Sequence, residues 1–435
     1  MSARPPDVNR ANSNTPRAAR IQLFRFCLYG FLKNQQYFEP FLILALRERG
    51  LSFAQIGLLI GFRELSVNLL EIPTGAIADV LGRRRAMVTS FLGYIVAFLI
   101  FGLCRPLALV FVAMFFFAVG EAFRTGTHKA IIFSWLEREG RTREKARIYG
   151  FTRSWSKLGS ALSVVVAAVL VFRSGNYSAV FLLAVIPYIV NVVNLATYPA
   201  YLDGTRAEAP RPGAVVRTLV SALRNSITSR PLRRLLLESM GFEGAFKASK
   251  DYLQPIIKAT ALTLPFLVEH EPAQRTAVLV GVVYAIFHLL GSLASRKAGG
   301  FAEQMGSETA AARRLWIAFM VLFAAIGAGL VSGVMWLAVA AFICLNAVQN
   351  LWRPILISRC ASHCDSSQSA TVLSIESQAK SLFVALFAPA IGWGVDALST
   401  TAPDWRFLPI AAMGVVIAMI ALLLPERTHT EVPER

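Results

Sequence analysis

The segment GAIADVLGRRR, residues 75–85, separates a hydrophobic run that ends near residue 78 from another that begins near residue 86. It contains small residues, one acid and three consecutive arginines. The hydrophobic run on either side is about 20 residues long, the length of helix that crosses a bilayer core roughly 30 Å thick. Its second part, residues 79–85, is therefore predicted to be a short loop between two membrane-spanning helices.

The same alternation of long hydrophobic runs and short polar loops continues along the chain. Of its 435 residues, 55% are hydrophobic and 16% are charged, and the mean hydropathy is +0.54. Soluble domains are usually about 45–50% apolar and about 25% charged, so this composition excludes a soluble protein. We predict an all-α membrane protein with twelve transmembrane helices in two pseudo-symmetric six-helix bundles. The predicted spans are residues 22–46, 54–78, 86–104, 107–135, 148–172, 177–199, 234–259, 275–298, 315–333, 335–360, 368–392 and 405–425.

The formal net charge of +18 is concentrated in every second loop between the spans. This positive-inside pattern favours the lipid bilayer, and not a nucleic acid, as the partner of the basic residues. It predicts a multi-pass protein of a bacterial inner membrane with both termini in the cytoplasm. The predicted regions are a cytoplasmic tail at 1–20, bundles at 21–199 and 233–425, a cytoplasmic linker with an amphipathic helix at 200–232, and a second tail at 426–435.

An internal repeat relates the two predicted bundles. The matched pairs are Gly57/Gly281, Gly75/Gly299, Asp79/Glu303 and Gly82/Gly306 at an offset of 224, Ser154/Ser377 and Lys157/Lys380 at 223, and Tyr37/Tyr252 and Pro40/Pro255 at 215. Several nearly constant offsets in one chain order indicate a repeat. Parallel repeats of six spans are an architecture of transporters.

With these features, residues 75–85 resemble the signature loop of the major facilitator superfamily, and the resemblance covers nearly the whole chain. One departure is Val80, where the family usually has a basic residue. The resemblance implies that spans 1, 4, 7 and 10 line a central cavity. It also implies an inner-gate loop whose acid and arginines hold the two halves together when the cavity faces outward. The residues of this loop are Gly75, Asp79, Gly82, Arg83 and Arg84.

Ionisable side chains inside a span are costly and usually face a cavity or a partner. Here they are nearly absent from spans 3, 6, 9 and 12. Lys157 and Lys380 lie at matched positions near the middle of spans 5 and 11, and are predicted to clamp an anion. The predicted substrate-cavity residues are Lys33, Arg63, Arg124, Lys157, Lys247, Lys250, Arg353 and Lys380. The alternative is that these cations pair with acids, such as Arg124 with Glu121 and Lys247 with Glu243.

Proton coupling requires an acid or a histidine whose pKa can be moved toward neutrality by burial and partner charges. The candidates are Glu64, Glu121, Glu243 and His288. Neither a catalytic site, a cofactor nor a metal site is predicted. Cys360, His363 and Cys364 lack the fourth ligand of a structural zinc site.

These features predict a monomeric secondary active transporter, not an enzyme. It is expected to move a small polar solute, anionic or zwitterionic, by alternating access with proton coupling. One alternative is a drug/proton antiporter, although span 5 lacks the Gly-Pro-rich motif of the drug-efflux families. An alternative of another class is a membrane sensor or scaffold that does not transport.

Overall fold

The computed structural model describes residues 17–203, 228–265, 267–362 and 369–423, with only the backbone of Asp79, Ala146 and residues 369–371. Within this part the chain is almost entirely helical, and no strand occurs in it. Most of the predicted tails and most of the linker at 200–232, including its amphipathic helix, lie outside the described residues. His363 and Cys364 also lie outside them.

The helices follow the twelve predicted spans in order. The first six spans correspond to α1 Arg17–Lys33, α2 Leu42–Glu48, α3 Phe53–Leu81, α4 Arg83–Leu103, α5 Leu107–Arg124, α6 Thr127–Arg138, α7 Lys145–Ser174 and α8 Ala179–Ala196. The last six correspond to α9 Arg230–Ser239, α10 Ala245–Ser249, α11 Leu253–Thr263, α12 Pro272–Gln304, α13 Glu308–Val331, α14 Met335–Ala361, α15 Ser369–Thr401 and α16 Leu408–Leu423. In the described residues, nine helical segments are long and apolar enough to cross a bilayer. The predicted all-α membrane fold is confirmed.

Large apolar side chains on these helices are exposed, as expected for contact with lipid. Leu69, Leu103, Leu289, Leu386 and Trp393 are each more than 60% exposed. In water, so many exposed apolar side chains would favour aggregation. The chain is therefore an integral, multi-pass membrane protein.

Three predicted spans are interrupted, which their hydrophobicity alone did not indicate. Span 1 breaks between α1 and α2, and span 7 contains a π-helical turn at Met240–Gly244 and a 3₁₀ turn at Lys250–Tyr252. Span 4 breaks at Gly126, whose φ of 76° lies in the left-handed region that favours glycine. Irregular backbone at membrane depth is tolerated where it is buried in protein or lines a cavity. The interruptions therefore point to spans 1, 4 and 7 as places to look for a site.

The first compact unit consists of the described residues of Met1–Glu39, Leu69–Ala167 and Ser178–Pro210. Aromatic side chains fill its core. The ring of Tyr94 on α4 meets those of Phe117 on α5 and Tyr188 on α8 edge to face, with centroids 5.1 and 5.4 Å apart. Such pairs add to the stabilisation from burial alone.

The second compact unit consists of the described residues of Pro40–Asn68, Ala168–Tyr177 and Arg211–Arg435. In its core, Phe242 stacks on Trp352 with ring centroids 4.2 Å apart. The unit boundaries pass through α3 and α7, so they differ from the predicted bundle boundaries at 199 and 233. The predicted bundles stay a prediction based on the sequence repeat.

Within the second unit, α3 starts against α15. The backbone N–H groups of Phe53 and Ala54 donate to the two carboxylate oxygens of Asp396 at 3.0 and 2.7 Å. These bonds satisfy two of the four N–H groups that a helix start leaves without a partner, and they place a negative charge at the positive helix end. Further along, Gly57 and Gly61 face the backbone of α15 so closely that a side chain would collide with it.

Candidate functional site

The first unit contains a cavity of about 350 Å³, lined by α1, by the α5–α6 break with α6, and by α7. This volume lies in the range of small-molecule sites, roughly 300–1,000 Å³. Three of the predicted substrate-cavity residues line it: Lys33, Arg124 and Lys157. The other lining residues are Phe26, Tyr29, Gly30, Asn34, Gly126, His128, Lys129, Ile132, Tyr149, Thr152, Arg153, Ser156 and Ser160.

Basic side chains dominate the charge of this cavity, and none of its lining residues is acidic. Four of the basic residues form no salt bridge with a carboxylate in the described part of the chain: Lys33, Lys129, Arg153 and Lys157. A cleft lined by one sign of charge concentrates the opposite ion. The cavity is therefore suited to anions.

Arg124 is the fifth basic residue of the lining, and it is held in place by acceptors. It pairs with Glu121, one turn earlier on α5, as the spacing predicted. Its Nε donates to the hydroxyl of Tyr94 at 3.1 Å, and that hydroxyl donates to Glu121 at 2.7 Å. The guanidinium is thus oriented before any ligand arrives.

An aromatic wall closes one part of the cavity. The rings of Tyr29 on α1 and His128 on α6 stack with centroids 3.6 Å apart, and Phe26 meets His128 edge to face at 5.6 Å. All three side chains are buried. The stack therefore fixes α1 against the short helix that follows the Gly126 break.

Helix α7 presents polar groups to the cavity at four-residue intervals. Thr152, Ser156 and Ser160 donate to backbone carbonyls within the helix at 2.9, 3.4 and 3.2 Å. Hydroxyl groups in apolar helices commonly satisfy themselves in this way. Gly30 allows α1 to approach this face, because a Cβ there would lie 2.6 Å from the Ser156 hydroxyl oxygen. Lys33 follows one turn later on α1, at the same cavity.

Lys129 and Arg153 line the cavity but were not predicted as cavity residues from the sequence. Two spacings could have identified Arg153. Arg153 lies four residues before Lys157, and Tyr149 four residues before Arg153, so all three share a helix face. In the structure, Lys129 and Arg153 lie 5.6 and 5.9 Å from the centroid of the Tyr149 ring.

The second unit holds a different arrangement of charges, which we call the ion network: Glu243, Arg353, Glu376 and Lys380. Arg353 lies 3.0 Å from Glu243 and 2.8 Å from Glu376. Lys380 lies 2.7 Å from Glu243 and 3.0 Å from Glu376. Ser239 also donates to Glu376, which is fully buried. Two acids and two bases therefore neutralise one another.

Glu64, a proton-coupling candidate, is also paired in the second unit. Its carboxylate lies 2.8 Å from Arg63 and 2.7 Å from Lys247. The prediction that Lys247 pairs with Glu243 is wrong. Glu243 lies in the π-helical turn, where the wider turn shifts residues four apart out of alignment.

Two further predicted site residues, Lys250 and His288, also belong to the second unit. Lys250 lies 3.8 Å from Asp251. His288 is half-buried on α12. Arg359 and Glu238 form a further buried pair, 2.7 Å apart, that was not predicted from the sequence.

The matched lysines of the predicted clamp have different surroundings. Lys157 lines the cavity, whereas Lys380 is bound by two carboxylates of the ion network. Their joint action on one anion stays a prediction. The two lysines are therefore equivalent in the sequence repeat but do not have equivalent binding partners.

The predicted inner-gate loop turns at Gly82, which has a φ of 98°. The Arg84 N–H donates to Asp203 at 3.1 Å, and its guanidinium lies 3.4 Å from the same carboxylate. Arg83 donates to the hydroxyl of Ser134 at 2.8 Å. Around Gly75 there is open space. Arg84 is thus held within the first unit by an aspartate that was not predicted to belong to the loop, and Arg83 is held there by a serine.

Comparison with known proteins supports one family. The family profile described as Major Facilitator Superfamily matches residues 26–388. Among curated proteins, none matches this chain significantly.

Solved structures of transporters share the fold at low sequence identity. The crystal structure of the nucleoside transporter NupG has a TM-score of 0.72 and 13% identity, and the match covers 93% of this chain and 98% of that one. A POT family transporter in complex with 5-aminolevulinic acid has a TM-score of 0.68 and 14% identity, with 94% and 96% covered. The peptide transporter POT in complex with sulfate has a TM-score of 0.64 and 14% identity, with 92% and 93% covered.

Proposed function

The chain belongs to the major facilitator superfamily, and we propose that it is a secondary active transporter that carries a small anionic solute by alternating access. The observation that carries this proposal is the cavity of the first unit, where five basic residues meet no acidic lining residue. An anion there gains charge-assisted hydrogen bonds from lysine and arginine. Transporters of the same fold have been solved with sulfate and with 5-aminolevulinic acid, so the fold accommodates small charged solutes.

Proton coupling is assigned to Glu121, the acid that shares Arg124 with the cavity. An anion that binds Arg124 competes with Glu121 for the guanidinium. A carboxylate that loses its partner inside a membrane is costly as an anion, so Glu121 takes up a proton. Solute binding and proton binding are thereby linked. Glu64 and Glu243 each keep two basic partners and serve to hold the second unit together.

The location assigned to the protein is a bacterial inner membrane, with both termini in the cytoplasm. The support is the concentration of Lys and Arg in every second loop, which includes Arg83–Arg85 and residues 138–147. The transporter is taken to act as a monomer.

Uptake by proteoliposomes tests the proposal. Purified protein is reconstituted and offered labelled anionic, zwitterionic, neutral and cationic metabolites, with and without a pH gradient. We expect uptake of an anion that the gradient stimulates and that Lys157→Ala reduces by about tenfold or more. Lys297→Ala, which removes an exposed lysine outside the cavity, is the matched control. Uptake of neutral or cationic compounds alone contradicts the proposal, expulsion of hydrophobic cations indicates a drug antiporter, and no transport of any class indicates a sensor or scaffold.

A further inference from the structure

The cavity of the first unit carries more positive charge than one monovalent solute can neutralise. Five basic side chains line about 350 Å³. Glu121 compensates one of them, Arg124. The other four form no salt bridge with a carboxylate in the described residues, as noted above. A single negative charge would leave most of this repulsion in place.

The positions of these basic residues add a second constraint. Arg153 and Lys157 are four residues apart on α7, where like charges repel one another. Lys129 comes from α6 and Lys33 from α1, so the charges enter the cavity from three helices. A solute that contacts more than one of these helices needs more than one anionic group.

We infer that the transported solute carries at least two negative charges on separate carboxylate or phosphate groups. This inference rests on the proposed function and specifies the solute of the same cavity. Carboxylate and phosphate oxygens are the groups that lysine and arginine bind through short, charge-assisted hydrogen bonds. The preoriented guanidinium of Arg124 supplies one fixed contact, and the lysines supply adaptable ones.

A series of carboxylates that differ mainly in charge tests the inference. Butyrate, succinate and tricarballylate carry one, two and three carboxylates. A second comparison, of glycerol with glycerol 3-phosphate, tests the effect of a phosphate group. Binding to the full-length protein in detergent is measured by thermal stabilisation. We expect the affinity to rise by about tenfold or more with each added carboxylate, as for close charge pairs.

Variants separate the cavity from general charge effects. Lys157→Gln should reduce the gain between butyrate and tricarballylate, and Lys297→Gln should leave it unchanged. The inference is overturned if the di- and trivalent anions bind no more tightly than butyrate, including the case in which none of them binds. If butyrate and succinate bind equally and are transported, the proposed function stands and only this inference fails. Transport of neutral or cationic solutes alone is the separate result that ends the proposed function.

Discussion

The two compact units contain the same kinds of charged residue but differ in whether the basic side chains of the repeat are paired with carboxylates. In the first unit, Lys157 and its basic neighbours line a cavity that has no acidic lining residue. In the second unit, Lys380 lies 2.7 and 3.0 Å from two buried carboxylates. The two lysines occupy matched positions of the internal repeat, 223 residues apart.

This difference shows that a repeat can preserve a residue while its partners change its role. A base bound by two acids is occupied before any solute arrives, and its removal leaves those acids exposed to an apolar interior. A base without an acidic partner contributes little to stability and is available to a ligand. Stability and transport measurements on the two lysines should therefore give opposite results.

The largest effect is expected from Lys380→Met. Glu243 and Glu376 would then share Arg353 alone, leaving an uncompensated buried charge. Breaking a buried ion pair costs about 3–5 kcal/mol. Thermal or denaturant unfolding in detergent measures the loss.

Restoring the charge balance provides the control for this variant. The double variant Lys380→Met with Glu243→Gln leaves Arg353 paired with Glu376 and should recover part of the lost stability. If the single variant is as stable as the unaltered protein, the ion network does not hold the second unit together.

The matched change in the first unit, Lys157→Met, should have the opposite profile. We expect anion uptake to fall by about tenfold or more because one charge-assisted contact is lost. The free energy of unfolding should stay within about 0.5 kcal/mol, as for a residue without a structural partner. Proteoliposome uptake and unfolding are measured on the same preparation. A variant that is destabilised as much as Lys380→Met would remove the distinction between the two units.

A smaller effect is expected from Asp396→Ala at the start of α3. Loss of a capping side chain costs about 1 kcal/mol. Asp396→Asn keeps an oxygen acceptor and should cost less. If Asp396 caps the helix, the unfolding temperature should be lowest with Ala at position 396, higher with Asn and highest with Asp. Equal unfolding temperatures for the three residues would contradict the capping role.

The smallest effect concerns a pair outside the spans. A hydrogen bond from Arg141 holds the pKa of Glu144 below its usual value. Because this pKa is lowered in the folded state, the pair stabilises the protein at pH above the ordinary glutamate pKa, about 4.3. The stabilisation is lost as the pH falls through the folded-state pKa.

Glu144→Gln should therefore reduce the free energy of unfolding by no more than about 0.5 kcal/mol at pH 7, as for surface pairs. The difference from the unaltered protein should shrink as the pH falls through the folded-state pKa of Glu144. The free energy of unfolding lost from this partly exposed pair is the reference value for the loss expected when the ion network is broken. If the difference in free energy of unfolding grows on acidification, the pKa of Glu144 is not lowered in the folded state.

Local sequence patterns predicted much of this structure, but they could not predict contacts between residues that are far apart in the chain. The spans followed from hydrophobic length, and the Arg124–Glu121 pair followed from helical spacing. The partner of Lys247 could not be found in this way. The π-helical turn displaced Glu243, and the observed partner Glu64 lies 183 residues earlier. For the same reason, no local pattern indicated that Asp203 would bind Arg84, because the two are brought together only by the packed helices.

The capping of α3 by Asp396 also has a consequence for biosynthesis. The carboxylate that completes the first turn of this helix is made 343 residues after Phe53. At roughly 5–20 residues per second, the ribosome needs about 20–70 s to reach it. During that interval the second span must reside in the membrane with its first N–H groups served by water or by the insertion machinery. One of the earliest helices to be synthesised is therefore completed only when one of the last has been inserted.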